Sequence, residues 1–134
     1  FVIVVLGILA SVAIPKMAAT RDDAQIAKGR SDIASIRSAI VTERQTRLIK
    51  GDSSWITSLS NTALFDGNGT STLLMYGIAS GTGSGHWSGT NPNYTYTVQS
   101  IAVPFDYNST SGVFTCNPNN TNAAIADMCK NLIN

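Results

Sequence analysis

The sequence predicts an α+β protein in which one long N-terminal helix packs on a small antiparallel β-sheet head. The first fifty residues carry a helical pattern that ends at Gly51-Asp52, because glycine commonly terminates helices and aspartate favours turns. Residues 51–134 are rich in Ser, Thr, Asn and Gly and contain alternating segments typical of strands. The chain of 134 residues is long enough for one domain, and so small a head should rest its core on the helix.

Residues 1–15, FVIVVLGILASVAIP, form an apolar arm in which Ser11 carries the one hydroxyl and no residue is charged. Fifteen helical residues span roughly 22 Å, whereas a bilayer core is about 30 Å thick, so the segment as given is too short to cross a membrane. It is also a poor signal peptide, because it has neither a basic leading region nor a cleavage pattern. We expect the arm to be buried by a membrane or by other copies of the chain.

The amphipathic half of the helix, residues 16–50, begins at Lys16. Its isoleucines recur at helical spacing and predict one apolar face, formed by Ile26, Ile33, Ile36 and Ile40. Four further residues are expected to widen or extend that face: Ala27, Ala34, Val41 and Leu48. We expect the face to be the floor of the head's core. A coiled coil is the alternative, but the apolar positions do not hold a 3.5-residue repeat over three heptads.

The first half of the head is predicted to be rich in loops. Trp55, Ile56 and Leu59 suggest a short helix, and residues 73–79 suggest a buried strand or an apolar segment. The glycine-rich stretch 81–89 predicts a flexible, exposed loop with His86 and Trp87 at its tip. These two side chains would contact a ligand or a neighbouring subunit, or would simply pack the loop down.

The second half of the head contains the clearest strand, residues 94–103, whose alternation changes parity near Gln99-Ser100 and suggests a bulge. Pro104 is expected to mark a strand end or an edge, because proline donates no hydrogen bond. A turn at 106–112 and a return strand at 113–116 complete a hairpin over about 94–117. Residues 123–133 predict a short helix capped by Thr121 or Asn122.

Residues 4–16, VVLGILASVAIPK, resemble the N-terminal segment of the type IV pilins and type II secretion pseudopilins. The shared pattern is an aliphatic run, a glycine, further aliphatic and small residues, and Ile-Pro. In that family about seven residues, starting with an N-methylated phenylalanine and including a glutamate, precede this segment, and we expect this chain to lack them. The resemblance is specific for the superfamily, and residues 51–134 (the globular head) add little to it.

The resemblance implies a structural protein that polymerises into a filament on the bacterial cell surface, serving adhesion or motility. The arm would sit in the inner membrane before assembly and in the filament core afterwards. Its partners would be further copies of the chain and the pilus assembly machinery. The core-packing residues would be Phe1, Val2, Ile3, Val4, Val5, Leu6, Ile8, Leu9, Val12 and Ile14.

Gly7 and Pro15 bracket the second half of the arm and weaken the helix there, because glycine adds backbone freedom and proline removes a hydrogen bond. The resemblance implies that this stretch unwinds when subunits pack into a filament. A mild kink is the alternative.

The two cysteines, Cys116 and Cys129, are expected to form a disulfide, because exported proteins commonly oxidise such pairs. Two reduced, buried thiols are the alternative. The bridge would tie the last helix to the last strand, which resembles the disulfide-closed loop of many type IV pilins. The major pseudopilins generally lack that loop, so the cysteines favour a major pilin over a pseudopilin.

The remaining chemistry points away from an enzyme. The chain has one histidine, no Gly-x-Ser-x-Gly motif and no phosphate-binding loop, so no catalytic residue, cofactor or metal site is predicted. A membrane-anchored binding module or enzyme remains the alternative from another class, and it would need a pocket with convergent polar groups.

Charge is divided unevenly along the chain. Residues 1–50 hold eight of the nine basic residues and four of the eight acidic ones. The basic helix and the acidic head would then attract each other between neighbouring subunits, unless the charges simply solvate the helix. Arg44, Arg47 and Lys50 form only a small basic cluster, so nucleic-acid binding is not predicted.

Four stretches match Asn-x-Ser/Thr, at Asn68, Asn93, Asn108 and Asn119. Asn68 and Asn108 also have an aspartate two residues before the asparagine, which resembles the longer acceptor pattern of some bacterial glycosylation systems. Both lie in predicted exposed turns, as modification requires. We take Asn68 and Asn108 as candidate glycosylation sites, with chance matches in a Ser/Thr/Asn-rich chain as the alternative.

Overall fold

A computed structural model describes the backbone of all 134 residues and the side chains of all but Ala13, Pro15 and Ala18. The fold is α+β, as predicted, with a long N-terminal helix packed on a four-stranded antiparallel sheet of order β1-β2-β3-β4. The elements are α1 (Val2–Ile49), β1 (His86–Thr90), β2 (Asn93–Val98), β3 (Ile101–Asn108), β4 (Val113–Cys116) and α2 (Ala123–Ile133).

Helix α1 is continuous from Val2 to Ile49. It ends as the sequence predicts, because Gly51 takes the left-handed conformation with φ of 86°. The backbone N–H of Asp52 then donates to the carbonyl of Arg47 at 2.9 Å and satisfies one of the last helical acceptors.

The buried face of α1 carries Ile33, Ile36 and Ile40, so the predicted floor of the core is confirmed there, and Ile26 packs at its margin. The predicted widening was wrong. Ala27 and Ala34 are exposed, and Val41 and Leu48 each keep 49% of their surface. The head instead covers the opposite flank of the stripe, where Asp32 accepts from the indole of Trp87 at 3.0 Å and the carbonyl of Gln25 accepts from the hydroxyl of Tyr96 at 2.7 Å.

Strands β2 and β3 form a tight hairpin rather than one bulged strand. Gln99 and Ser100 both have positive φ, 53° and 65°, and they connect the pair Val98–Ile101 directly. Two central residues with φ > 0 suit the right-handed twist of a hairpin. The alternation of apolar and polar residues therefore shifts at Gln99-Ser100 because the chain reverses direction there. The predicted bulge was therefore wrong.

The predicted strand end at Pro104 was also wrong, because β3 continues through it to Asn108. Pro104 pairs with Thr95 of β2, whereas β4 pairs only with residues 105–108. Pro104 therefore lies in the half of β3 that has a neighbour on one side, where a missing N–H is tolerated. The return strand Val113–Cys116 is confirmed.

Three other head predictions were wrong. Residues 52–59 are irregular rather than helical, although Ile56 and Leu59 are buried as expected. Local bonds such as Ser54 N–H to Asp52 (2.9 Å) offer the backbone an alternative to a helix. Residues 73–79 make only an isolated bridge at Ile78. Trp87 lies in β1 rather than at a loop tip, but it is fully buried, so the alternative that it packs down holds.

Helix α2 and the disulfide agree with the sequence prediction. The side chain of Asn122 caps the helix by accepting from the N–H of Ala124 at 3.0 Å. Cys116, the last residue of β4, is bonded to Cys129 of α2, and their Cα atoms lie 5.9 Å apart. The bridge fixes α2 against the sheet, where Cys129 and Leu132 enter the core.

Candidate assembly surface

The apolar arm is exposed along its whole described length. Its large side chains keep between 42% (Val5) and 102% (Phe1) of their surface. The exposed set is Phe1, Val2, Ile3, Val4, Val5, Leu6, Ile8, Leu9, Val12 and Ile14, and Met17 continues it. A contiguous apolar surface of this kind marks an interaction site with protein or lipid.

The first hydrogen bond between α1 and the head lies about three helical turns beyond the arm. Gln25 is the first residue to bond the sheet, since its carbonyl accepts from the hydroxyl of Tyr96 at 2.7 Å and its side chain accepts from Ser84. Residues 2–17 alone correspond to roughly 24 Å of helix. The arm therefore projects from the head with apolar side chains around its circumference.

The one hydroxyl in the arm is satisfied within the helix. Ser11 Oγ donates to the carbonyl of Ile8 at 2.7 Å, a back-bond that removes its need for an outside partner. Helical backbone groups are bonded in the same way, so this surface suits an environment without water.

Gly7 is helical here, and a Cβ on it would meet none of the described atoms within 4 Å. Unwinding between Gly7 and Pro15 stays a prediction about the filament.

In the described part of the chain, no helix is both long enough and apolar enough to cross a membrane.

Most of the predicted basic cluster at the end of α1 contacts the head of its own chain. The guanidinium of Arg44 stacks on the ring of Trp55, 4.1 Å from its centroid. Arg47 donates to Glu43 at 2.9 Å and to Ser71 at 3.1 Å, and only 15% of its side chain is exposed. These cations therefore hold the irregular segment 52–73 on the helix.

Asp66 organises the turn that contains the candidate site Asn68. Its carboxylate accepts from the backbone N–H groups of Asn61, Thr62 and Ala63 at 2.7–3.0 Å. Burial raises the pKa of Asp66, but these N–H donors outweigh burial and hold the pKa below its usual value.

The described residues contain no cluster of three or more side chains that could ligate a metal ion.

The two candidate glycosylation sites differ in their surroundings. Asn68 is half-buried, and its Nδ2 donates to Thr57 Oγ1 at 3.3 Å. Asn108 is the last residue of β3 and is exposed. Both side chains close local turns through Oδ1, which for Asn108 accepts from the backbone N–H groups of Thr110 and Ser111.

A surface groove of about 630 Å³ runs along α1 between Ala34 and Thr46 and is closed on one side by Thr72 and Leu73. Its lining is mostly small side chains and hydroxyls. Its charged lining residue is Glu43, which Arg47 already neutralises. The groove offers hydrogen bonds but little to drive catalysis.

Sequence reasoning missed one exposed apolar pair on the head, Met75 and Tyr76, which it placed in a buried strand. The glycine that follows them, Gly77, was the available signal for a turn.

Comparison with protein-family models, curated proteins and solved structures finds no significant match. The long helix, the small antiparallel sheet and the disulfide are compatible with a pilin-like fold.

Proposed function

We propose that this protein is the major structural subunit of a type IV pilus, polymerising through its apolar arm. The observation that carries the proposal is the exposure of every large apolar side chain from Phe1 to Ile14 on a helix that extends past the head. Burying such a surface against identical helices is strongly favourable, at about 25 cal/mol for each Å² of apolar area. The subunit would be held in the inner membrane before assembly and would then join an extracellular filament.

Two further features support an exported subunit that polymerises through its arm. The Cys116–Cys129 bridge suits a head that is exposed to an oxidising exterior. The head also has a complete core of its own, in which the stripe of α1 packs on the aromatic face of the sheet. Each subunit would therefore arrive at the filament with a folded head and an uncovered arm.

The test is cryo-electron microscopy of filaments sheared from cells that make the protein. The expected result is a thin helical fibre with residues 1–15 packed along its axis. A protein found only as a membrane-bound monomer under all growth conditions would overturn the proposal.

A pair of variants tests the arm itself. Ile8→Asp places a charge in the arm and should abolish filaments, because a charge buried in an apolar core is costly unless it is paired. Ile49→Asp is the matched control, since Ile49 is an exposed isoleucine at the other end of the same helix. Filaments from Ile8→Asp in normal yield would contradict assembly through the arm.

A further inference from the structure

The turn between β3 and β4 presents an asparagine in an Asn-x-Thr sequence at an exposed tip. Residues 108–111 are all exposed, and the turn is closed by the N–H of Gly112 donating to the carbonyl of Asn108 at 2.8 Å. We propose that Asn108 carries an N-linked glycan, transferred from a lipid-linked oligosaccharide. This inference rests on one part of the proposed function, namely that the head is exported from the cytoplasm.

The side chain of Asn108 is arranged so that its nitrogen is free. Oδ1 accepts from the backbone N–H of Thr110 at 2.8 Å and of Ser111 at 3.2 Å, which fixes the side chain in the turn. Among the atoms that the structure describes, none accepts a hydrogen bond from Nδ2. The reacting atom is therefore open to a transferase while the rest of the side chain is held.

Asp106 lies on the same face as Asn108, because residues two apart on a strand point the same way. The exposed positions of β3 alternate with its buried ones, and both residues are exposed. The carboxylate of Asp106 and the hydroxyl-bearing Thr110 thus flank the asparagine on the surface, where one enzyme can contact all three groups.

The other three Asn-x-Ser/Thr stretches lack this combination. Asn68 is half-buried and its Nδ2 is occupied by Thr57. Asn93 lies in β2 and is paired on both sides, with Thr90 and with Asp106, whereas Asn108 ends its strand and is paired on one side only, with Val113. Asn119 is exposed, but an uncharged asparagine stands two residues before it.

The transfer balances without an oxidant or reductant. Nδ2 of Asn108 attacks the anomeric carbon of the oligosaccharyl diphosphate lipid, and a carbon–nitrogen bond forms. The bond from that carbon to the diphosphate oxygen breaks, and its electron pair leaves with the diphosphate. Nδ2 loses one proton, which the departing diphosphate takes up. The reaction needs an oligosaccharyltransferase, for which Asp106 and Thr110 supply the recognition groups.

The experiment is intact mass and peptide mapping of the protein from the cells that produce it. We expect a mass above that of the unmodified chain by one oligosaccharide, located on the peptide that contains Asn108. Thr110→Ala should abolish the added mass, whereas the neighbouring Ser111→Ala should keep it. Both variants retain the backbone N–H groups that bond Asn108 Oδ1, so the turn survives in each. Added mass on Thr110→Ala would overturn the proposal.

Alkylation of free thiols in the same samples separates this inference from the proposed function. An unmodified chain whose Cys116–Cys129 bridge is oxidised would overturn the glycan and leave the pilus intact. A glycosylated chain that forms no filaments would support the site at Asn108 and overturn the pilus. An unmodified chain with reduced cysteines would overturn the export on which both rest.

Discussion

The indole Nε1 of Trp87 donates a hydrogen bond to Asp32 Oδ2 at 3.0 Å. Trp87 is fully buried among Phe65, Tyr96 and Phe105, and its N–H points at helix α1. The same carboxylate oxygen binds Lys28 Nζ at 2.9 Å. A charged residue of the helix thus completes the aromatic core of the sheet, and the pair fixes how the head sits on α1.

Asp32→Ala should lower the free energy of unfolding by about 1–3 kcal/mol, because it leaves a buried indole N–H without an acceptor. Asp32→Asn should cost less, since the amide oxygen still accepts. Urea denaturation followed by circular dichroism measures both. Asp23→Ala is the control, because it removes an exposed carboxylate from the same helix. Equal stability of the two alanine variants would contradict the role of Asp32.

Gly29→Ala should destabilise the protein, because α1 packs closely against Tyr96 and Leu132 at Gly29. A Cβ at this position would lie 2.5 Å from Tyr96 Cε1 and 2.8 Å from Leu132 Cδ2. The Tyr96 ring cannot retreat easily, since its hydroxyl is bonded to Gln25. Overpacking typically costs 1–3 kcal/mol, against about 1 kcal/mol gained from helix propensity, so we expect a net loss of about 1 kcal/mol.

Gly7→Ala is the matched control for Gly29→Ala in the same urea experiment. It has the same intrinsic helix preference and no described atom within 4 Å of the new Cβ. The free energy of unfolding of the head should therefore not fall. A loss in Gly7→Ala as large as that in Gly29→Ala would show that the close approach at Gly29 is not the cause.

Elements governed by local chemistry were predictable from the sequence. The stop at Gly51 and the cap of α2 at Asn122 each depend on residues within one turn of the helix end. The isoleucine stripe was also visible, because periodicity alone defines it. Which flank of the stripe the head covers was not visible, since it depends on distant contacts such as Asp32 with Trp87.

The sheet was harder to predict because its strands are specified by partners far along the chain. Gln99 and Ser100 form a turn that more often uses Asn-Gly, so the hairpin had no strong local signal. The glycines around Trp87 made residues 86–90 look like a loop in the sequence. Strand β1 enters the core there because Trp87 packs on Phe65 and Phe105. For the candidate sites, exposure separates Asn108 from Asn68, and exposure is a property of the fold.

Removing the disulfide should destabilise the head by about 3 kcal/mol, because Cys116 and Cys129 close a loop of 13 residues that the unfolded chain would otherwise leave open. The double variant Cys116→Ser/Cys129→Ser, compared with the oxidised protein in thermal unfolding, measures this loss. Adding reductant to the double variant should change nothing, whereas it should lower the melting temperature of the parent. If the parent were insensitive to reductant, the bridge would contribute little.

Two buried tyrosines should make the protein unstable in strong alkali. Burial raises the pKa of Tyr96 and of Tyr107 from 10.0 to about 12. In each, the protonated hydroxyl donates to a backbone carbonyl, of Gln25 at 2.7 Å and of Ile56 at 2.8 Å. Because the folded pKa lies above the unfolded one, the stabilisation is complete below pH 10 and disappears as the pH rises to about 12.

The slope of unfolding free energy against pH in that window measures the effect. Tyr96→Phe should be less stable than the parent at neutral pH, because the Gln25 carbonyl loses its donor, yet should lose stability less steeply above pH 10. Tyr76→Phe is the control for the substitution itself, since the ring of Tyr76 is 85% exposed in the folded protein. A slope in Tyr96→Phe as steep as the parent's would mean that the Tyr96 phenol ionises equally readily in the folded and unfolded states.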